Sequence, residues 1–144
     1  MANKCCSTGG VTFLYPCSGA ADVGELADRS VRKLWKDGFA QKTCLAGVGA
    51  DLSGFVQSAK GADVNITVDG CPTACARKGL ERIGVKPVSV ILADLGYKKG
   101  EAPVTNERIE SIAAAVKEAS WAPQKEKADA AVPGGGCCSS GAIC

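Results

Sequence analysis

Strand-like and helix-like segments alternate four times along this chain, and that alternation restricts the fold more than any other feature. The strand-like runs, rich in β-branched and apolar residues, are residues 11–17, 42–45, 64–69 and 88–94. The helix-like runs that follow them are residues 22–38, 51–58, 72–83 and 105–121. Apolar residues recur at helical spacing in the first of these runs, at Val23, Leu26, Ala27, Val31, Leu34 and Trp35. Repeated strand–helix units predict a parallel sheet, because such strands need a crossover between them.

The chain length of 144 residues indicates one domain with short tails. We predict an α/β three-layer sandwich with a four-stranded, mainly parallel sheet of the flavodoxin/Rossmann-like kind, in strand order 2-1-3-4. This domain is predicted to span residues 11–121. Residues 1–10 form a Cys-containing N-terminal tail, and residues 122–144 form a flexible, Cys-rich C-terminal tail that contains Pro133 and a run of glycines.

Charge and hydropathy argue against two classes of partner. Lys plus Arg number 17 and Asp plus Glu number 15, without a basic run, which is unlike a nucleic-acid-binding surface. No segment approaches the length of an apolar membrane span. The first ten residues lack the apolar stretch of a secretory signal, so we expect a cytoplasmic protein.

The chain has nine cysteines and no histidine. In a reducing compartment, so many cysteines indicate metal or redox chemistry rather than disulfide bonds. An odd number also prevents complete internal pairing. Without histidine, the thiolate is the main soft ligand that the chain can offer, and this favours soft metal ions.

Four of the cysteines are predicted to meet at one edge of the sheet. Cys17 ends the first strand, Cys44 lies at or near the end of the second, and Cys71 follows the third. Cys75 lies one helical turn beyond Cys71, at the start of a helix predicted to begin at Pro72. Helix N-termini favour thiolates. We therefore predict a tetrahedral site with zinc as its ion and these four cysteines as its ligands.

Several further residues are candidate accessories to that site. Asp69 ends the third strand and could accept a hydrogen bond or donate an oxygen to the ion, although a turn cap is the preferred interpretation for it and for Asp94. Asp22 is predicted to cap the first helix, with Glu25 in capping-box spacing. The tail cysteines could pass metal to or from the core, and they are Cys5, Cys6, Cys137, Cys138 and Cys144.

Other functions remain open on these residues. The same ligands could hold an Fe–S cluster in an electron carrier, or another soft metal or metalloid. A thiol redox or sulfur-transfer enzyme could use core and tail cysteines together. A free cysteine is also often only a small buried apolar side chain. No catalytic residue can be named, and a non-enzymatic role is favoured: a metal buffer, sensor or carrier, with a protein partner for metal or thiol exchange as a further expectation.

Three segments carry a resemblance to a known family. They are PCSGAADVGELADR at residues 16–29, CLAGVG at residues 44–49 and DGCPTACARK at residues 69–78. Together they resemble the DGC-domain family of zinc-binding proteins, named for the motif at Asp69, Gly70 and Cys71. The resemblance covers roughly residues 11–119 and implies a metal chelated by the cysteines matching Cys17, Cys44, Cys71 and Cys75. It implies no reaction, and it does not extend to the C-terminal tail.

Overall fold

A computed structural model describes residues 10–121, which form a parallel sheet with helices on both faces. The strands are β1 (Thr12–Pro16), β2 (Gln41–Lys42), β3 (Val64–Asp69) and β4 (Val88–Ile91). They are all parallel and lie in the order β2-β1-β3-β4. The predicted three-layer α/β architecture and strand order are both confirmed. The predicted tails lie outside the described residues apart from Gly10, so the domain boundaries stay predictions.

The helices form two outer layers. They are α1 (Asp22–Lys36), α2 (Leu45–Gly49), α3 (Ser53–Gly61), α4 (Cys75–Arg82) and α5 (Asn106–Trp121), with a 3-10 helix at Leu92–Leu95. Helices α1 and α5 contact each other on one face of the sheet, and α2 contacts both α3 and α4 on the other. Within residues 10–121, no helix combines the length and apolar character needed to cross a bilayer.

The face under α1 and α5 carries the larger apolar cluster. Leu14, Ile66 and Val68 point toward it from the central strands, and all three are fully buried. Leu26 and Ile112 contribute from the two helices and are also fully buried. Each such side chain contributes roughly 1.5–3 kcal/mol by leaving water. We call this side of the sheet the apolar face.

The opposite side, beneath α2, α3 and α4, carries a smaller cluster of Tyr15, Val48, Ala59, Leu80 and Val85. The strand register aligns Tyr15 with Thr67, and Thr67 with Ser89. Their buried hydroxyls lack a hydrogen-bond partner among the described protein groups. Burial also raises the pKa of Tyr15 to about 12. We call this side the mixed face, because polar groups interrupt its apolar contacts.

Three predicted boundaries around the second strand were wrong. The strand ends at Lys42, so Cys44 lies beyond it as the residue that precedes α2. Residues 47–49, which lie between the strand and the helix predicted from the sequence, belong to α2, because Gly47 packs closely on Phe55 and tertiary contact outweighs the low helix propensity of glycine. The next helix, predicted at residues 51–58, is Ser53–Gly61.

Two other boundaries were also wrong. Helix α4 begins at Cys75 rather than Pro72, because Ala74 has a left-handed φ of 50° and its N–H closes a turn onto the carbonyl of Cys71 at 3.0 Å. Cys71 therefore lies in a turn outside the helix. The fourth strand ends at Ile91, and Asp94 lies exposed in the 3-10 helix that follows.

Candidate metal centre

The four predicted cysteines all lie at the carboxyl edge of the parallel sheet. Cys17 directly follows β1, Cys44 follows β2 by two residues, and Cys71 follows β3 by two residues. Cys75 is the first residue of α4. Among the described residues, none of these four cysteines forms a disulfide bond. This edge is the usual ligand-binding edge of open α/β sheets, so the chain topology alone places these residues near one another.

Cys17 is the most firmly held of the four. Its backbone N–H donates to the carbonyl of Val68 at 2.9 Å, which extends the pairing of β1 with β3. Its sulfur accepts the N–H of Gly70 at 3.3 Å. Burial raises the pKa of this thiol, and the N–H groups of Gly70 and Gly19 oppose that effect. The charge of Asp69, and then Coulombic repulsion from Cys75, raise this pKa further.

Gly70 permits this contact because it has no side chain. A Cβ at this position would approach the backbone carbon and oxygen of Val23 to 2.7 Å, closer than real Cβ contacts. The turn after β3 therefore lies directly against the first residues of α1. Only glycine brings the Gly70 N–H within reach of the Cys17 sulfur without displacing that helix.

Cys71 lies in a different electrostatic environment. The side-chain hydroxyl and then the backbone N–H of Thr73 lower the pKa of its thiol, and the ammonium of Lys99 adds to this effect. Cys71 is half-buried, and it precedes α4 in an irregular turn. Its thiolate is thus favoured, whereas the thiolate of Cys17 is disfavoured by burial.

Asp69 caps α4 from a buried position. It is 1% exposed, and its two carboxylate oxygens accept the N–H groups of Ala76 at 2.8 Å and Arg77 at 3.1 Å. Burial raises the pKa of Asp69, and these two N–H groups partly oppose the rise. The carboxylate is thereby committed to holding the first turn of the helix that carries Cys75. Its contribution to the site is the placement of that cysteine.

Cys17, Cys71 and Cys75 line one cavity of about 170 Å³. Asp69, Gly70 and Lys99 complete its wall near the sulfurs. We call this the three-cysteine cavity. Within residues 10–121, no three Cys, Asp or Glu side chains lie close enough together to hold an ion as they stand. The donor set nevertheless fits a soft ion, since three sulfurs border one space in a chain without histidine.

Cys44 lies in a neighbouring cleft. It is exposed, and it shares with Cys17 the lining of an open cleft of about 800 Å³. The cleft also contains Arg32, Trp35 and Lys42. We call it the basic cleft. The structure thus groups three of the predicted ligands around one cavity and sets Cys44 beside it, with Cys17 lining both spaces. Convergence of all four sulfurs stays a prediction.

The accessory cysteines and the predicted cap of the first helix remain to be placed. The accessory cysteines Cys5, Cys6, Cys137, Cys138 and Cys144 lie outside the described residues. Asp22 was predicted as the cap of α1, but it is the first helical residue, and Glu25 pairs with Arg29 at 2.7 Å instead. The Asp22 carboxylate accepts the N–H groups of Gly100 at 2.9 Å and Ala102 at 2.8 Å. It therefore fastens the loop that carries Lys99.

Sequence reasoning missed the cleft residues. Trp35 was predicted as part of the apolar stripe of α1, yet 47% of it is exposed and it lies on the basic cleft. Phe55 lines the same cleft from α3 and is 37% exposed. The only sequence signal was the position of Lys42 two residues before Cys44.

Similarity to known proteins assigns this chain to a family. No solved structure matches the chain significantly. The anaerobic and virulence modulator AnvM of Pseudomonas aeruginosa is 34% identical over 88 residues, which cover 60% of this chain and 67% of that protein. A model of the DGC domain matches residues 13–116. The match spans every cysteine of the three-cysteine cavity and the basic cleft, and the chain belongs to the DGC domain family.

Proposed function

We propose that this protein binds one soft metal ion through Cys17, Cys71 and Cys75, and that it buffers, senses or delivers that ion. Zinc is the default occupant, because it accepts thiolate ligands without redox chemistry. The observation that carries the proposal is the shared cavity, which is lined by Cys17 from the end of β1 and by Cys71 and Cys75 from the segment after β3. A role in sensing also accords with a relative whose name describes a modulator.

The surroundings of the cavity suit this role. The N–H of Gly70 donates to the Cys17 sulfur, and such a contact orients a ligating thiolate. Thr73 and Lys99 favour the thiolate of Cys71. Cys71 lies in a turn and Cys75 at the first position of α4, so rotation about their Cα–Cβ bonds can bring their sulfurs toward an ion.

A metal titration tests the proposal. The full chain, with its five tail cysteines replaced by serine, is purified anaerobically and titrated with Co²⁺, whose sulfur-to-metal absorption reports thiolate ligation. Zinc then competes for the same site. We expect about one metal per chain. Cys17→Ser, Cys71→Ser and Cys75→Ser should each weaken binding by about a hundredfold, since each removes a charged ligand.

Cys44→Ser is the matched control, because it removes an exposed cysteine outside the three-cysteine cavity. It should leave the equilibrium affinity within about threefold of the parent, a change of under 1 kcal/mol. A four-sulfur site predicts instead that Cys44→Ser is as damaging as the other three substitutions. Absence of thiolate-to-metal absorption in the parent would refute metal binding altogether. Sulfide analysis of the same preparation tests for an Fe–S cluster.

A thiol-transfer enzyme is the second candidate, and the lowered pKa of the Cys71 thiol favours it. An enzyme of this kind needs one reactive thiolate rather than a group of ligands. Rapid alkylation of Cys71 alone in freshly purified protein would support it. Protection of Cys17, Cys71 and Cys75 together until a chelator is added would support the metal site instead.

A further inference from the structure

The basic cleft is a second space with its own chemistry, separate from the three-cysteine cavity. Its volume of about 800 Å³ lies within the range of roughly 300–1,000 Å³ that small-molecule sites occupy. Helix α1, strand β2 and helix α3 each contribute to its wall. The cleft lies beside the edge strand β2, which has two residues and, within the described part of the chain, pairs with β1 alone.

The charges on this wall are positive. Arg32 and Lys42 line the cleft, and no carboxylate does so among the described residues. Asp28 pairs with both cations from behind, through the Nε of Arg32 and the Nζ of Lys42, the latter at 3.8 Å. This group of three side chains keeps one net positive charge. It can bind a carboxylate while Asp28 holds the two cations in place.

The rest of the wall is apolar and thiol-bearing. Trp35 and Phe55 lie there half-exposed, although the whole chain has only two Trp and three Phe. The two thiols on the wall are those of Cys44 and Cys17. Cationic, aromatic and soft donor groups therefore face one space. A ligand that satisfies all three carries a carboxylate for the cations, an apolar part that contacts the rings, and a soft metal ion held by its own thiolate.

We infer that the basic cleft binds a small anionic thiol and takes a soft metal ion from it. This inference rests on the proposed function. The ion passes from the carrier to Cys44 and then to Cys17, which lines both spaces. Cys71 and Cys75 then bind the same ion from the three-cysteine cavity, while Cys17 stays bound to it. Cys44 is the first acceptor in this sequence, and it is absent from the final ligand set.

The transfer is a ligand exchange without oxidation or reduction. The bond between the metal and the carrier sulfur breaks as a bond between the metal and the Cys44 sulfur forms. The proton that Cys44 loses goes to the sulfur of the departing carrier, which leaves as a protonated thiol with its carboxylates still charged. Cys17 then displaces Cys44 in the same way, so its bond to the metal forms as the Cys44 bond breaks, and the proton that Cys17 loses passes to Cys44. Any proton that Cys71 or Cys75 carries goes to solvent when its own bond to the metal forms.

Recognition is tested first, without metal. In the full-length Trp121→Phe protein, Trp35 is the remaining tryptophan, and its fluorescence reports the cleft. S-methylglutathione has the carboxylates of glutathione but cannot bind metal through a thiolate. We expect saturable binding that weakens about tenfold in Arg32→Gln and Lys42→Ala, because each loses a charge-assisted contact.

Lys60→Ala removes an exposed lysine outside the cleft and is the control for lost charge. It should bind as the parent does. Cysteamine, a thiol without a carboxylate, should not compete. Absence of saturation in the parent, or equal binding by Lys42→Ala, would overturn recognition of an anion. This arm holds no metal, so its result is independent of the proposed function.

Transfer is tested second, by mixing the zinc complex of glutathione with the metal-free chain that lacks tail cysteines. Cys44→Ser should slow the appearance of bound zinc about tenfold at low carrier concentration and leave the final amount unchanged, because it removes the first acceptor. Cys71→Ser should lower the final amount instead. An unchanged rate in Cys44→Ser would overturn the route. Zinc absent from every variant would refute the proposed function and leave the recognition result standing.

Discussion

The two faces of the sheet differ in how they are built. On the apolar face, α1 and α5 enclose one large cluster that reaches from Leu14 to Val116. On the mixed face, three short helices cover a smaller cluster beside the hydroxyls of Tyr15, Thr67 and Ser89, which find no hydrogen-bond partner within residues 10–121. Cys17 packs against the apolar cluster, whereas Cys44 and Cys75 adjoin the helices of the mixed face. The candidate site thus combines a sulfur that packs against the larger cluster with others that adjoin the short helices of the mixed face.

Matched truncations on the two faces should show the largest effect. Leu26→Ala on the apolar face should lower the free energy of unfolding by about 4 kcal/mol, and Leu80→Ala on the mixed face by about 2 kcal/mol. Both leucines are fully buried, so the difference reports how well each cluster is packed. Urea unfolding of the two variants is the measurement. Equal losses would remove the distinction between the faces.

Gly70→Ala tests the close contact between the turn after β3 and helix α1 of the apolar face. The added Cβ must displace the backbone at Val23, which should cost about 1–3 kcal/mol as other overpacking does. It should also weaken metal binding, because the N–H at residue 70 moves away from the Cys17 sulfur. Gly54→Ala is the control, since a Cβ there meets nothing within 4 Å. A variant that keeps parental stability and affinity would show that the close approach is dispensable.

In the metal-free protein, the thiols of Cys71 and Cys17 should react at different rates. Iodoacetamide at neutral pH should modify Cys71 about tenfold faster than Cys17, because Thr73 lowers the pKa of one thiol and burial raises that of the other. Peptide mapping over time gives both rates in one sample. Raising the pH should bring the two alkylation rates closer together, because a larger fraction of the Cys17 thiol is then ionised. Faster labelling of Cys17 than of Cys71 would contradict the lower pKa assigned to the Cys71 thiol.

Asp22 should give the smallest effect, confined to one loop. The N–H groups of Gly100 and Ala102 lower the pKa of Asp22 below its ordinary value of 3.8. Its contribution to stability is therefore present above about pH 4 and is lost as the pH falls through the lower folded pKa. Asp22→Asn should speed amide exchange at Gly100 and Ala102, and Asp51→Asn should not. Unchanged exchange would mean that the loop holds its position without the carboxylate.

The four strands could be predicted because their signals are local, whereas their order followed from the common arrangement of such open parallel sheets. Residues 64–69 alternate between the two faces, and the observed strand has the predicted bounds. Helix α2 could not be predicted, since residues 45–49 contain two glycines and become helical only where Gly47 meets Phe55. The start of α4 depends on the left-handed residue Ala74, which carries no sequence signature.

The candidate site, like the fold, could be predicted only in part. That cysteines follow strands is readable from the sequence, and parallel topology then brings them to one edge. Which of the cysteines share a cavity depends on contacts between segments that are distant in sequence, such as the close approach of Gly70 to the backbone of Val23. Trp35 keeps helical spacing with the core of α1 yet faces the cleft, because β2 is too short to cover it.

The brevity of β2 has a further consequence. A strand at the border of a sheet exposes unpaired amide and carbonyl groups on which another chain can extend the sheet, and long flat borders invite aggregation. Here that border is two residues long and ends in Lys42. A neighbouring molecule would find too short a template to add a strand. Within residues 10–121, this border of the sheet is therefore a poor template for sheet extension.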